Sequence, residues 1–158
     1  MKRKIYVETA VISYLTARPS KNVIEAGHQQ STYLFWDRRS EFDLVASELV
    51  VMECNAGDPV AANKRHDALS GIPLLDITAL SVELAKGLVP AGVVPATASE
   101  DALHIAIATV HFVDYPLTWN CRHIANPENS GEDRRAFAAA WLVPAFHLHP
   151  RRTLGRRR

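Results

Sequence analysis

The stretch Ile5-Tyr-Val-Glu-Thr-Ala-Val-Ile-Ser-Tyr-Leu15 decides the class of fold. Its first three residues are a short apolar run, typical of a buried strand, and the run ends at Glu8. From Ala10 to Leu15 the apolar residues recur at helical spacing. A strand that passes directly into a helix begins a β-α unit, so we expect the rest of the chain to alternate in the same way.

The alternation does continue along the chain. Further strands are predicted at Phe42–Ala46, Ile72–Ile77 and Tyr115–Thr118. Together the pattern predicts a three-layer α/β/α sandwich with a mainly parallel central sheet. Helices are predicted at Ala10–Leu15, Val23–Arg38, Glu48–Cys54, Val60–Leu69, Ser81–Leu88 and Glu100–Val110, with Ser47 and Ser99 as N-caps.

Length and composition indicate one ordinary globular domain. The chain has 158 residues, of which 47% are apolar and 22% charged. No apolar run approaches the roughly 18 residues of a membrane helix, and the N-terminus has no signal-peptide pattern. Cys54 and Cys121 are far apart and form no CxxC pair, which argues against a disulfide framework or structural zinc. We therefore expect a cytoplasmic protein with no membrane partner.

The basic residues are concentrated at the C-terminus. Five arginines lie in residues 151–158, and without them 13 basic residues face 17 acidic ones. The body of the protein is thus mildly acidic. A basic tail of this kind can contact phosphate backbones, or it can be a solvated, disordered end. We assign residues 1–146 to the single domain and residues 147–158 to the tail.

Acidic side chains occupy three positions of interest. Glu8 directly follows the first strand, and in parallel sheets active sites form at the carboxyl ends of strands. Glu53 lies on an apolar helix, where a carboxylate is costly unless it is paired or binds metal. Asp101 opens a late helix. Each also has a structural explanation, because Glu8 can cap a helix, Glu53 can lie on the surface and Asp101 can favour a helix start.

Two further polar residues belong to the same pattern. Asn120 follows the last strand by two residues, where it can bind metal or shape a turn. His104 shares a helix face with Asp101, although a packed, hydrogen-bonded core residue is the favoured interpretation for it. Hard oxygen ligands in this order suit Mg²⁺ or Mn²⁺ better than zinc.

These polar residues lie in four short motifs. The motifs are Tyr6-Val-Glu-Thr-Ala-Val-Ile-Ser-Tyr14, Ser47-Glu-Leu-Val-Val-Met-Glu53, Asp101-Ala-Leu-His-Ile-Ala106 and Leu117-Thr-Trp-Asn120. In them the chain resembles the PIN-domain ribonucleases, especially the VapC-like toxins of type II toxin–antitoxin systems. The resemblance covers roughly residues 4–125, with each motif loose but all four in the right order.

The resemblance implies a metal site with two departures from the family pattern. Glu8 occupies the place of the first acid, which is usually aspartate, and its longer side chain shifts the geometry. Glu53 and Asp101 match the second and third acids. Asn120 occupies the fourth position, often aspartate, and so removes one negative charge. Three carboxylates remain to hold Mg²⁺ or Mn²⁺, with Asn120 orienting water.

Further family properties follow as expectations. Thr9 and Thr118 match polar positions that support the site, and Glu100 could partly replace the missing charge. The implied activity is endonucleolytic hydrolysis of RNA, and such toxins form homodimers held inactive by a small antitoxin. The departures at Glu8 and Asn120 leave an alternative, a catalytically weak PIN-like module that binds RNA or a protein partner.

Other enzyme classes lack their required motifs here. Glu8-Thr-Ala-Val11 has no glycine-rich loop, and the chain contains no P-loop, which argues against nucleotide-binding folds. A response-regulator receiver needs an adjacent acidic pair near the N-terminus and a strand-end lysine, and both are absent from the sequence. No G-x-S-x-G elbow is present for a serine hydrolase.

The last residues depart from the family pattern. Relatives tend to end in a segment like Ile-Cys-Thr-Pro-Glu-Glu-Leu, whereas this chain runs from His147 into an arginine-rich end. Codons for that end, read one nucleotide later, can encode Ile-Cys-Thr-Pro-Asp-Glu-Leu. We therefore hypothesise that residues 147–158 derive from a frameshift, which sequencing the gene tests directly. Residues 143–146 are predicted to supply a last strand.

Overall fold

The computed structural model describes residues 1–92, 94 and 96–119. Within them lies a four-stranded, all-parallel sheet with the strand order β3-β2-β1-β4. The predicted α/β class and parallel sheet are confirmed. The strands are β1 (Lys4–Val7), β2 (Asp43–Ser47), β3 (Leu74–Leu75) and β4 (Tyr115–Leu117).

Strand β1 lies in the middle of the sheet because it is apolar on both faces. Ile5, Tyr6 and Val7 are all at most 1% exposed. Tyr6 is in register with Val45 of β2 on one side and with Pro116 of β4 on the other. Proline has no N–H for a ladder, which fits the position of β4 at the edge of the described sheet.

Six α-helices and two short 3-10 turns connect the strands in the described residues. Side-chain caps shape the first turns of four of the α-helices, and in one of them the Ser47 hydroxyl accepts the Val50 N–H. The helices are α1 (Thr9–Thr16), α2 (Val23–Asp37), α3 (Glu48–Cys54), α4 (Pro59–Leu69), α5 (Ala79–Leu88) and α6 (Ser99–Val110), and the 3-10 turns are Arg39–Glu41 and Ala96–Ala98.

The predicted third strand, Ile72–Ile77, was too long. Only Leu74–Leu75 is a strand, and two features of the flanking residues explain the shortening. Pro73 has no N–H, and the Ile77 N–H donates to the Glu48 carboxylate at 3.0 Å instead of to a neighbouring strand. Glu48, in the first turn of α3, thus binds the backbone directly after β3.

Two helix starts also differ from prediction. Helix α5 begins at Ala79 and not at Ser81, because the Thr78 hydroxyl accepts the Ser81 N–H at 3.1 Å and caps the helix earlier. Ser99 was predicted as the cap of α6, but it is the first residue of that helix and follows a 3-10 turn. The remaining boundaries agree with prediction to within about two residues, which is the usual uncertainty of helix ends.

The helices contact one another in two groups. Helices α1 to α4 form one group, and α5 packs against α6 to form the other. A buried cluster joins Val11, Val50 and Ile107 to the strands, and a smaller cluster lies around Leu88. This grouping is compatible with a sheet covered on both faces. Within the described residues, no helix has the length and apolar character needed to span a bilayer.

The order in which strands are added to the sheet reverses at β1. The chain moves from β1 outward to β2 and β3 and then returns to add β4 on the opposite side. The carboxyl ends of β1 and β4 are therefore neighbours, which is the crevice where ligands bind in open parallel sheets. Glu8 and Thr118 directly follow these two strands.

A cap substitution tests the start of α2. The Asn22 side chain accepts the N–H groups of Ile24 at 2.9 Å and Glu25 at 3.2 Å. We expect Asn22→Ala to lower the free energy of unfolding by about 1 kcal/mol in urea denaturation, without a change in m-value. Asn22→Asp keeps the acceptor and should lie close to wild type. Equal stability of both variants would show that this cap contributes nothing.

Candidate metal centre

Glu8 is buried at the junction of β1 and α1. Its backbone N–H donates to the Leu117 carbonyl at 3.1 Å, which ties the end of β1 to the end of β4. Although Glu8 occupies the N-cap position of α1, its side chain makes no capping hydrogen bond. The residue is 6% exposed. Capping of α1 by this side chain, the structural explanation considered for Glu8, is therefore wrong.

Thr118 follows β4 as Glu8 follows β1, and the two side chains meet. The Thr118 side chain forms a hydrogen bond with the Glu8 carboxyl, and Thr118 is 3% exposed. The next residue, Trp119, is held by α2, because its indole N–H donates to the Thr32 hydroxyl at 2.9 Å and its ring stacks on His28. The residue directly after Thr118 is thus held against α2.

Asp101 reaches the same place from the first turn of α6. It lines one pocket together with Glu8, His104 and Thr118. Glu100, its neighbour in the chain, is exposed and is not among the residues that line this pocket. The structure therefore brings Glu8 and Asp101 together, and it places Glu100 elsewhere.

Glu53 lies one residue before the end of α3 and is turned toward two hydrogen-bond donors. The Thr9 hydroxyl donates to its Oε2 atom. The His104 Nε2 atom lies 3.0 Å from the same oxygen and 3.2 Å from Oε1. The side chain of Glu53 is 32% exposed, so part of the carboxylate still faces the exterior. The expected support from Thr9 is thus a direct contact with Glu53.

His104 is the packed, hydrogen-bonded residue that was expected, being 6% exposed. Its Nδ1 atom lies 2.6 Å from the Tyr6 hydroxyl, which in turn lies 2.8 Å from the Ser47 hydroxyl. Sequence reasoning did not foresee the roles of Tyr6 and Ser47. One signal was available, because strand alternation puts Tyr6 on the same face as Glu8.

The environment shifts the pKa values of the two glutamates in opposite directions. Burial raises the pKa of Glu8; hydrogen bonding to Thr118 and the charge of His104 oppose this, while the nearby Asp101 and Glu53 carboxyls add to it. Burial also raises the pKa of Glu53, but the hydrogen bonds from His104 and Thr9 outweigh it and lower the pKa overall. Carboxyls with such divergent environments are typical of functional sites.

The donor chemistry fits a hard divalent cation, whereas the side-chain arrangement fits it only in part. Glu8 and Asp101 offer carboxylate oxygens to one pocket, which is what Mg²⁺ and Mn²⁺ prefer. Glu53 is turned to its donors, and among the described residues no three histidine, cysteine or acidic side chains converge closely enough to hold an ion. Asn120, the predicted fourth corner, lies outside the described residues, as do residues 143–158.

Comparison with known proteins adds no identification. No model of a protein family matches the chain, and no curated protein matches its sequence.

Proposed function

We propose that this chain is a metal-dependent endoribonuclease of the PIN-domain type and the toxin of a toxin–antitoxin pair. One observation carries the proposal, the meeting of Glu8 and Asp101 in a single pocket at the carboxyl ends of β1 and β4. These two residues are 93 positions apart in the chain and come from different elements. Their meeting at the switch in strand order is what an active site in this kind of sheet requires.

The burial of Glu8 close to two further carboxylates favours a cation as the ligand. Glu8 is buried, and both Asp101 and Glu53 are near enough to disfavour its ionised form. Grouping like charges in a buried place is costly, and proteins retain it where a bound ion offsets the repulsion. The acidic grouping thus has a simple function as a ligand set for Mg²⁺ or Mn²⁺.

Each proposed ligand is held by a polar neighbour. Glu8 would bind the ion while hydrogen bonded to Thr118, and Glu53 while held by Thr9 and His104. Asp101 would complete the set from the first turn of α6. When bound, the ion lowers the pKa of a water and neutralises charge on the scissile phosphate. The protein's own part is to orient the carboxylates and to leave one side of Glu53 open.

The arrangement of elements supports the PIN-like architecture within the same proposal. The two groups of helices and the parallel sheet suit a three-layer sandwich. The four sequence motifs lie at β1–α1, at β2–α3, in α6 and at the end of β4, and three of them contribute residues to the pocket. The homodimer and the antitoxin partner are further parts of the proposal. A neighbouring gene for a small DNA-binding protein would support them.

A second candidate is a PIN-like module that binds RNA or a protein partner without efficient cleavage. The orientation of Glu53 favours it, because this carboxylate is already bound by Thr9 and His104 and does not converge with Glu8 and Asp101. Binding of an ion by all three carboxylates then requires the acidic side chains to come closer together, whereas a module without metal needs no such rearrangement.

Metal titration separates the two candidates. Adding Mn²⁺ or Mg²⁺ to EDTA-stripped protein should raise Tm, because a ligand at about 100 times its Kd adds roughly 2.7 kcal/mol to the free energy of unfolding. For a domain of this size that is roughly 5–10 °C. A pool of RNA should be cleaved with Mn²⁺ and remain intact in EDTA. Absence of both responses would overturn the nuclease proposal, and a thermal response without cleavage would favour the binding module.

A further inference from the structure

A continuous chain of hydrogen bonds runs from α3 through the sheet and back to Glu53. The Val50 N–H donates to the Ser47 hydroxyl at 3.3 Å, and the Ser47 hydroxyl lies 2.8 Å from that of Tyr6. The Tyr6 hydroxyl lies 2.6 Å from Nδ1 of His104. Finally, Nε2 of His104 lies 3.0 Å from Oε2 of Glu53.

With His104 neutral, the Glu53 end of this hydrogen-bond chain determines its direction, and the Val50 end is compatible with it. At one end, the Val50 N–H can only donate, so the Ser47 oxygen accepts and its own proton can go to Tyr6. At the other end, an ionised Glu53 can only accept, so Nε2 of His104 carries the proton. Tyr6 then accepts from Ser47 and donates to Nδ1, and every hydroxyl both gives and receives one hydrogen bond.

We propose that Ser47 and Tyr6 fix the Nε2–H tautomer of His104, and that His104 thereby positions Glu53 as a metal ligand. Tyr6 and His104 are positioning residues in this arrangement, since they act through Glu53. The part concerning the metal rests on the proposed nuclease function. The part concerning the tautomer does not.

Positioning of this kind matters more for Glu53 than for the other two proposed metal ligands. Glu53 lies near the end of a seven-residue helix, and its side chain is 32% exposed, so solvent would otherwise let it sample several rotamers. His104 is 6% exposed and Tyr6 is 1% exposed, so both are held by packing. A rigid donor such as His104 keeps the Glu53 carboxylate in one orientation. Loss of a residue that orients a metal ligand commonly weakens metal affinity 10- to 100-fold.

Nitrogen-15 NMR of the metal-free protein tests the tautomer. His104 is expected to show a protonated Nε2 and an unprotonated Nδ1 in EDTA at neutral pH. Its signals are assigned by their loss in His104→Gln, since the chain has seven histidines. In Tyr6→Phe the donor to Nδ1 is gone and only Glu53 still favours Nε2–H, so we expect the fraction of His104 with a protonated Nδ1 to rise. A protonated Nδ1 in wild type, or no change in Tyr6→Phe, would overturn the proposal.

Calorimetry with Mn²⁺ tests the effect on Glu53. We expect Tyr6→Phe to raise the Mn²⁺ Kd about 10-fold and His104→Leu to raise it by up to about 100-fold, whereas His104→Gln keeps an N–H donor and recovers part of the loss. His111→Gln is the matched control, because His111 bonds the Asp76 carbonyl away from the site. Circular dichroism shows whether each variant folds.

The two measurements separate failure of this inference from failure of the nuclease proposal. If wild type binds no Mn²⁺, the nuclease proposal fails, and the NMR result still decides whether Tyr6 fixes the tautomer. If wild type binds Mn²⁺ and folded Tyr6→Phe binds it equally well, the nuclease proposal stands and the positioning role is overturned.

Discussion

Asp101→Asn is expected to abolish both the Mn²⁺-dependent rise in Tm and the cleavage of RNA. Asp101 and Glu8 are the two acids that line one pocket, so removal of either leaves a single carboxylate there. The asparagine amide keeps one oxygen but loses the charge that attracts a divalent ion. Loss of outer-shell partners already costs 10- to 100-fold, so we expect cleavage to fall by more than about 100-fold.

The matched control for this variant is Glu100→Gln. Glu100 lies in the same helical turn and carries the same charge, but it is exposed and is not among the residues lining the pocket. In EDTA both variants lose a favourable interaction with the start of α6, worth about 0.3–1 kcal/mol. Only Asp101→Asn should lose the response to Mn²⁺. An equal loss in the two variants, or none in Asp101→Asn, would contradict the assignment of Asp101 as a ligand.

The position of the site was predictable because it follows from local pattern and a general rule. Strand β1 is recognisable as an apolar run, and Glu8 is the first polar residue after it. Parallel sheets place ligands at such strand ends, so Glu8 could be selected without knowledge of its contacts. Thr118, in contrast, was named only through the resemblance to the PIN-domain family, and the structure shows it bonded to Glu8.

The contacts of Glu53 could not be predicted in this way, because they join residues that are distant in the chain. Glu53 is 44 positions from Thr9 and 51 from His104, and Tyr6 is 98 positions from His104. Hydrophobic periodicity reports which face of an element is buried, but not which polar groups meet across the core. The shortened β3 has the same cause, since the Glu48 side chain that binds the backbone directly after it comes from another element.

Glu8→Gln should stabilise the metal-free protein while it eliminates cleavage. Burial and the neighbouring Asp101 and Glu53 raise the pKa of Glu8, so its ionised form destabilises the fold at neutral pH. Glutamine has the same shape, carries no charge and can still bond Thr118. We expect a gain on the order of 1 kcal/mol, or roughly 2–4 °C in Tm, measured in EDTA. Binding of Mn²⁺ should be lost with this ligand.

The pH dependence of the stability gained by Glu8→Gln tests the raised pKa of Glu8 more sharply than the size of the gain does. Above the raised pKa, Glu8 is ionised in both states and the folded state carries the full penalty. As pH falls toward 4.5, the ordinary value for glutamate, the folded state takes up a proton before the unfolded state does, and the penalty disappears. The advantage of Glu8→Gln should therefore be largest above the raised pKa of Glu8 and shrink as the pH is lowered toward 4.5.

Glu53→Gln should behave in the opposite way, which makes it the matched comparison. Hydrogen bonds from His104 and Thr9 lower the pKa of Glu53, so its ionised form stabilises the fold. That contribution is fully present above pH 4.5 and is lost as pH falls through the lowered pKa. In EDTA at neutral pH, Glu53→Gln should thus lower Tm where Glu8→Gln raises it, although both abolish cleavage. Shifts of the same sign would mean that the two carboxyls do not occupy the contrasting environments on which the proposed site depends.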